Sequence, residues 1–134
     1  MRGGIGNGKE NNIKTIGIVG SRSRDGDEDL ELCKDVFVRI YKEGDKIVSG
    51  GCPKGGDRFA EIIAKDFNLT KENGKLIIYP AEWDKHGKSA GFKRNIYIAQ
   101  DADVLIAVIA KDRKGGTEDT IRKAEKLKKQ IILI

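Results

Sequence analysis

Short apolar runs typical of buried strands alternate along this chain with longer segments whose apolar residues recur every three or four positions. The runs predict five strands, at 14–19, 46–49, 75–79, 103–110 and 131–134. The longer segments predict four helices, at 27–43, around 60–67, at 90–101 and at 117–129. The run at 103–110 is the most apolar, as expected for a strand that is covered on both faces.

Strict alternation of strands and helices predicts the α/β class, here a Rossmann-like, doubly wound parallel sheet with helices on both faces. We expect five strands in the order 3-2-1-4-5, which places a ligand crevice beyond the carboxyl ends of the first and fourth strands. Residues 1–13 are mostly polar and rich in Gly and Asn, and they are predicted to form a flexible leader. Residues 14–134 are predicted to form one domain.

The helical segments make more detailed predictions. Asp57 is well placed to be the N-cap of the second helix. The third helix is expected to turn Ile96 and Ala99 towards the core. The apolar stripe of the last helix is predicted to comprise Ile121, Ala124 and Leu127.

Glycine-bearing turns follow three of the strands, at Gly20–Arg22, at Ser49–Gly51 and at Gly115–Thr117. Glycine lets backbone N–H groups approach a ligand closely, and the N-terminus of a helix favours anions. Turns that follow parallel strands meet at one edge of the sheet, so these three would form a cradle of the size of a phosphate. The sequence therefore predicts a nucleotide-type binding site.

Two better-known phosphate motifs are absent from the sequence. The first turn lacks the glycine spacing of a dinucleotide fingerprint. In a P-loop, Lys and then Ser or Thr follow the last glycine, whereas in the second turn Asp57 follows Gly56. Binding of NAD and Walker-type ATP hydrolysis are therefore disfavoured. Ser21 and Arg22 are expected to hydrogen-bond a phosphate instead, since a guanidinium offers a bidentate fork.

Composition excludes several classes of function. The two cysteines and the single His predict neither a disulfide framework nor a zinc site, and we expect no metal and no cofactor. Apolar runs are too short for a membrane span and there is no signal-peptide core, so a cytoplasmic protein without membrane partners is expected. The formal net charge is +5. Its basic residues near the C-terminus alternate with acids, which favours a solvated helix face over a nucleic-acid footprint.

A long polar segment at 81–95 contains the only Trp and the only His of the chain. Trp83 is expected either to stack on a base or to pin the segment to the domain. Arg94 and Asn95 close the segment, where small neighbours would let the start of the third helix approach a bound phosphate.

The ordered motifs of the chain resemble the SLOG superfamily, the Rossmann-like group that includes the DNA-processing protein Smf/DprA and the LOG phosphoribohydrolases. The resemblance is closest to its small, stand-alone branch related to YspA and YpsA, and it covers Thr15 to Ile134. Its most specific part is A-E-W-x-x-x-G-K-x-A-G-x-x-R-N at 81–95. The other motifs are G-x-V-G-S-R at 17–22, V-S-G-G at 48–51, G-x-D at 55–57, A-D-V-L-I-A at 102–107 and G-G-T at 115–117.

The resemblance implies a pocket for a nucleotide or a nucleotide-derived molecule, formed by the glycine turns, in a sensor or carrier. LOG enzymes cleave an N-glycosidic bond with an Arg before the fourth strand and a Glu in P-G-G-x-G-T-x-x-E. Arg94 matches that Arg, but Thr120 stands at the position of the Glu, so an enzyme would have to use Glu118 or Asp119. The alternatives are therefore an N-glycosidase with Arg94 and Glu118 as catalytic residues, and single-stranded DNA binding like that of DprA. Relatives that pair also make a homodimer possible.

These arguments together predict one set of ligand-binding residues. It comprises Gly20, Ser21, Arg22, Ser49, Gly50, Gly51, Gly55, Asp57, Trp83, Arg94, Asn95, Gly115, Gly116 and Thr117.

Overall fold

The computed structural model describes residues 13–134, so the predicted leader lies, except for Ile13, outside the described residues. The strands are β1 (Thr15–Gly20), β2 (Lys46–Ser49), β3 (Leu76–Ile78), β4 (Val104–Val108) and β5 (Gln130–Leu133). The helices are α1 (Asp27–Ile40), α2 (Gly56–Asp66), α3 (Trp83–His86), α4 (Ala90–Asp101) and α5 (Gly116–Lys126). A single 3-10 turn at Gly87–Ser89 joins α3 to α4.

The strands form one parallel sheet in the order β3-β2-β1-β4-β5, which confirms the predicted fold class and strand order. In its register, Ile16 of β1 lies beside Ile47 of β2, and Ile18 of β1 lies beside Ile106 of β4. The strand order reverses between β1 and β4, so the crevice expected in such sheets opens at their carboxyl ends. No helix in the described range is long and apolar enough to cross a membrane.

Two apolar clusters hold the helices against opposite faces of the sheet. On one face α1 and α2 bury Phe37 and Phe59 against Ile16 and other strand residues. On the other face α4 and α5 bury Ile98 and Ile121 against strand residues such as Leu105. Each fully buried side chain of this size contributes about 1.5–3 kcal/mol relative to its exposed form, so both layers are firmly attached.

The α2 helix begins earlier than the sequence predicted. Gly55 is its N-cap, and Asp57 is the second residue of the helix rather than the cap. The prediction for Asp57 was wrong because its carboxylate turns back under the helix, where it accepts hydrogen bonds from Ser49 and from the backbone N–H of Cys52. Tertiary partners therefore outweigh the capping preference of this residue.

Two predicted inward positions lie on the surface. Ile96 is 41% exposed, whereas Ile98 of the same helix is fully buried, so the buried face of α4 is rotated relative to the prediction. Leu127 is 47% exposed because α5 ends at Lys126 and the chain turns away. The short helix α3 was also missed, since four residues carry no periodic signal.

Candidate functional site

A cavity of about 320 Å³ opens at the carboxyl edge of β1 and β4, at the reversal of strand order. This volume is at the lower end of the range for small-molecule sites. Its apolar lining comes from Val19 and Ile98. The remainder comes from the end of β1, from the loops after β1, β2 and β4, and from α2, α4 and α5. The predicted residues that line it are Gly20, Ser21, Arg22, Asp57, Arg94, Asn95, Gly115, Gly116 and Thr117.

The turn after β1 is fixed to the neighbouring strand. The N–H of Ser21 donates to the carbonyl of Val108 at 2.9 Å, and the hydroxyls of Ser21 and Ser23 lie 2.7 Å apart. Gly20 must be glycine because a Cβ there would lie 2.9 Å from the Cβ of Val108 and 3.0 Å from the N of Gly56. This close packing presents Ser21 and the exposed Arg22 to the cavity.

Asp25 holds the loop that follows β1 against the start of α2. One carboxylate oxygen of Asp25 accepts hydrogen bonds from the N–H of Gly55 at 2.7 Å and from Nε of Arg58 at 2.8 Å. These two donors hold the pKa of the Asp25 carboxyl below its usual range. The loop after β1 is thus tied to the start of α2.

The residues of the turn after β2 support side chains of the cavity but do not line it, except for Cys52. Ser49 is fully buried, and its hydroxyl lies within hydrogen-bond distance of the Ile18 carbonyl and of the Asp57 carboxylate. Ser49, Gly50, Gly51 and Gly55 are predicted site residues that do not line the cavity within the described residues. A Cβ on Gly50 would overlap the guanidinium of Arg94, so Gly50 acts by leaving room for that side chain.

Arg94 projects from the first turns of α4 into the cavity, with its side chain 17% exposed. Its Nη1 donates to the Gly50 carbonyl at 3.1 Å and lies 3.8 Å from a carboxylate oxygen of Asp57. Its Nε donates to the side-chain oxygen of Asn95 at 2.9 Å. Among the described residues no hydrogen-bond acceptor engages Nη2, which leaves one edge of the guanidinium available to a ligand.

Asn95 links Arg94 to the third glycine turn. Its amide nitrogen donates to the Gly116 carbonyl at 3.2 Å and to Asp119 at 3.1 Å, while its oxygen accepts from Arg94. The side chain is buried, so all three bonds form in a region of low dielectric. The position of Arg94 and that of the start of α5 are therefore set by the same amide.

The turn after β4 directs a helix N-terminus at the cavity. Gly115 has φ = 105° and is the N-cap of α5, which begins at Gly116 without a side-chain cap. The first N–H groups of such a helix have no partner within it and carry a partial positive charge. Lys114 and Thr117 line the cavity beside these groups.

Charge in the cavity lining is predominantly positive. Arg22, Arg94 and Lys114 are the cations of the lining, and Asp57 is its carboxylate. Asp57 is already engaged by Ser49, by the Cys52 N–H and by Arg94. The cavity therefore has the charge and the hydrogen-bond donors that an anionic group requires.

Two predicted residues lie elsewhere. Trp83 is 54% exposed and packs over Gly91, outside the cavity lining. Glu118 lies in the first turn of α5 but pairs with Arg113, whose Nε and Nη2 donate to its two oxygens at 2.7 and 2.9 Å. Its carboxylate is 10% exposed and outside the lining, so Arg94 and Glu118 are not brought together.

Residues that sequence reasoning left out of the site include Cys52 and Thr120. Thr120 follows Gly116 by one helical turn, and its hydroxyl donates to the Gly116 carbonyl at 3.2 Å. That spacing places it on the same face of α5 as Gly116, which was the signal available in the sequence. Thr120 lines the cavity at the position where the LOG motif has its Glu.

The fold is a Rossmann-like α/β fold, and it is shared with two solved structures. One is the molybdenum cofactor binding protein of the phototrophic bacterium Rippkaea orientalis, with a TM-score of 0.62. The other is the molybdenum cofactor carrier protein of Chlamydomonas reinhardtii, with a TM-score of 0.63. Each is 22% identical to this chain, and each match covers 90% of this chain and 76% of the other.

A sequence relative comes from a bacterial virus. The chain is 36% identical over 86 residues to the gene 61 protein of Mycobacterium phage D29. That match covers 60% of this chain and 63% of the phage protein, so it spans less than two thirds of the relative. No family model matches the chain.

Proposed function

We propose that this chain binds a small, phosphate-bearing molecule, a nucleotide or a nucleotide-derived compound, and acts as its carrier or sensor. We further propose that residues 14–134 act as a single domain of the SLOG superfamily. The observation that carries the proposal is the cavity lining, which combines three cations and the amino end of α5 with one carboxylate that already has hydrogen-bond donors on both oxygens. An oxyanion placed there would accept hydrogen bonds from backbone N–H groups and from the open edge of the Arg94 guanidinium.

Binding is favoured over N-glycoside hydrolysis. Such hydrolysis requires an acid or base close to the bond that is cleaved. Glu118 is paired with Arg113 and lies outside the lining, and α5 contributes Thr120 to the cavity rather than a carboxylate. Asp57, the carboxylate in the lining, is held by donors on both oxygens, which supports a role in positioning Arg94.

Molybdenum cofactor is the second candidate ligand, because the two solved structures with the same fold are those of a molybdenum cofactor binding protein and a molybdenum cofactor carrier protein. Calorimetry with nucleoside mono-, di- and triphosphates, inorganic phosphate and molybdenum cofactor separates the two candidates. Saturable binding of a nucleotide supports the first, and binding of the cofactor alone supports the second.

The substitution Gly116→Val tests whether the amino end of α5 holds the anion. A Cβ at Gly116 has 3.9 Å to its nearest neighbour, the amide nitrogen of Asn95, so the fold is expected to tolerate it. The branched side chain stands before the first N–H groups of α5 and is expected to lower nucleotide affinity at least tenfold, measured by calorimetry. Gly26→Val is the matched control and should leave nucleotide affinity unchanged, since Gly26 is the N-cap of α1 and lies outside the cavity lining. Unchanged affinity in Gly116→Val would move the anion site elsewhere.

The rate at which Cys52 reacts with a thiol reagent can report whether a ligand occupies the cavity. Cys52 is partly buried and lines the cavity, whereas burial raises the pKa of the Cys33 thiol to about 12. At pH 8, native protein is expected to react with a thiol reagent at Cys52 only, because Cys33 is protonated and inaccessible. A bound nucleotide should slow that reaction, and Cys52→Ser should abolish it. Rapid labelling of Cys33 in folded protein would contradict the first expectation, and an unprotected Cys52 at saturation would contradict the second.

A further inference from the structure

Two acidic residues lie in the helical turn that borders the proposed anion site. Glu118 and Asp119 belong to the first turn of α5, the helix whose amino end lines the cavity. Both residues are 7% exposed, and in the part of the chain that the structure describes neither lines the cavity. A negative charge in this turn stabilises the helix but repels an anion bound in front of it. Each carboxylate therefore needs a local explanation.

The partners of Asp119 differ from those of Glu118, which is paired with Arg113. The Asp119 carboxylate accepts a hydrogen bond from Nδ2 of Asn95 at 3.1 Å. Both of its oxygens also accept from Nζ of Lys123, each at 2.6 Å. Arg122 lies farther away, with Nη2 at 3.7 Å from Oδ1 of Asp119. Lys123 therefore supplies the main charge that compensates Asp119.

Hydrogen bonds continue from Asp119 through Asn95 to Arg94. Nδ2 of Asn95 also donates to the Gly116 carbonyl at 3.2 Å, and Oδ1 of Asn95 accepts from Nε of Arg94 at 2.9 Å. A carboxylate can only accept, so Asp119 requires the nitrogen of the Asn95 amide to face it. The oxygen of that amide is then left for Nε of Arg94, which can only donate. Asp119 thus favours the one amide orientation that holds the guanidinium.

We infer that Asp119 is a positioning residue for Arg94, an inference that rests on the proposed anion site. Asp119 acts through Asn95: the carboxylate fixes the amide, and the amide fixes the guanidinium with its Nη2 edge open to a ligand. The charge of Asp119 opposes anion binding, and Lys123 offsets that charge by pairing with it. What Asp119 contributes to the site is therefore geometry and not charge.

The substitution Asp119→Asn separates these two effects because they predict opposite results. On charge alone, loss of a negative group beside the site would strengthen anion binding. In the variant, however, one side-chain oxygen faces two donors, the Asn95 amide and the Lys123 ammonium. The hydrogen bond to the cation is the stronger one, so the new amide turns its nitrogen towards Asn95. Donor then faces donor, and the support of Arg94 is lost.

We expect Asp119→Asn to weaken binding of the best nucleotide about tenfold in calorimetry, the effect of losing about one hydrogen bond. Adding Lys123→Met should restore wild-type affinity, because the new oxygen is then free to accept from Asn95 and the charge of the pair is again zero. Charge alone predicts the reverse order, with the single variant binding most tightly. A single variant that binds as tightly as the wild type overturns the inference, and so does a double variant that remains weak.

Glu118→Gln is the matched control. It removes the same charge from the same turn, but within residues 13–134 the side-chain hydrogen bonds of Glu118 go to Arg113 and not to Asn95. The variant should therefore bind the nucleotide at least as tightly as the wild type. A loss equal to that of Asp119→Asn would show that any first-turn acid has the same effect, and would contradict a positioning role for Asp119.

The position of Arg94 can also be measured without a ligand, by nuclear magnetic resonance. Its Nε–H, assigned by its absence from the Arg94→Lys spectrum, should exchange slowly with solvent in the wild type, in Glu118→Gln and in the double variant, but rapidly in Asp119→Asn. Unchanged protection in Asp119→Asn overturns the inference. In the wild type the side-chain NH2 of Asn95 should also exchange slowly, since Gly116 and Asp119 accept from it. Rapid exchange there overturns the inference even if Asp119→Asn does not fold.

A wild type that binds neither the nucleotides nor molybdenum cofactor contradicts the proposed function, while the exchange rates still decide whether Asp119 positions Arg94. Conversely, a wild type that binds a nucleotide while Asp119→Asn leaves both affinity and exchange unchanged contradicts the role of Asp119 alone.

Discussion

Gly56→Ala is expected to destabilise the protein by about 3 kcal/mol, the upper part of the range for overpacking a well-packed site. A Cβ at Gly56 would overlap the backbone of Val19 and Gly20, because the first turn of α2 packs directly on the end of β1. Backbone atoms in the centre of a sheet cannot move aside as the end of a side chain can. The melting temperature, measured by circular dichroism, should fall by roughly 10 °C.

The chain contains its own control for this prediction. Gly116 occupies the same first helical position in α5, after another glycine N-cap, but a Cβ there meets only the Asn95 amide at 3.9 Å. Gly116→Ala should therefore change stability by less than about 0.5 kcal/mol. Equal losses in the two variants would show that the effect comes from glycine at a helix start rather than from the close approach of α2 to β1.

Arg94→Lys is expected to weaken ligand binding about a hundredfold, nearly as much as Arg94→Ala. Lysine retains the charge but cannot reach the Gly50 carbonyl, Asn95 and a ligand at once with one planar group. A hydrogen bond to a charged group contributes about 1.5–3 kcal/mol, and about 2.7 kcal/mol corresponds to this change in affinity. The dissociation constant of the best nucleotide, measured by calorimetry, reports the effect.

A modest loss of stability is expected as well, about 1 kcal/mol for Arg94→Ala, because the nearby Asp57 carboxylate loses a cation. Arg58→Lys is the matched control, since Arg58 is also partly buried and paired with a carboxylate but lies outside the cavity lining. It should alter stability and leave affinity unchanged. If Arg94→Lys binds like the wild type, Arg94 supports the structure of the cavity without contacting the ligand.

Much of the fold could be predicted because its signals are periodic. Buried β-branched runs located all five strands, and the helix at 90–101 was predicted with its observed bounds. The errors occurred where tertiary contacts override local preference. Asp57 left the cap position for buried partners, and the rotation of α4 that buries Ile98 instead of Ile96 depends on packing against the sheet.

The candidate site was predictable only in part. The glycine turns at Gly20 and Gly116 and the cation Arg94 could be placed at one edge from strand order alone. Sequence spacing carries no information on side-chain partners, so it could not separate Ser49 and Gly50, which support the cavity, from the residues that line it. For the same reason, sequence spacing could not show that Arg113 forms a bidentate salt bridge with Glu118.

The different surroundings of Gly56 and Gly116 also bear on how such chains diverge. The close approach of α2 to β1 suffices to retain glycine at position 56, whereas the open surroundings of Gly116 would retain glycine only through the proposed ligand. In a lineage that has abandoned the ligand, Gly116 is therefore free to drift while Gly56 stays fixed. A homologue with glycine at position 56 and a larger residue at position 116 would then be expected to keep the fold without binding the proposed ligand.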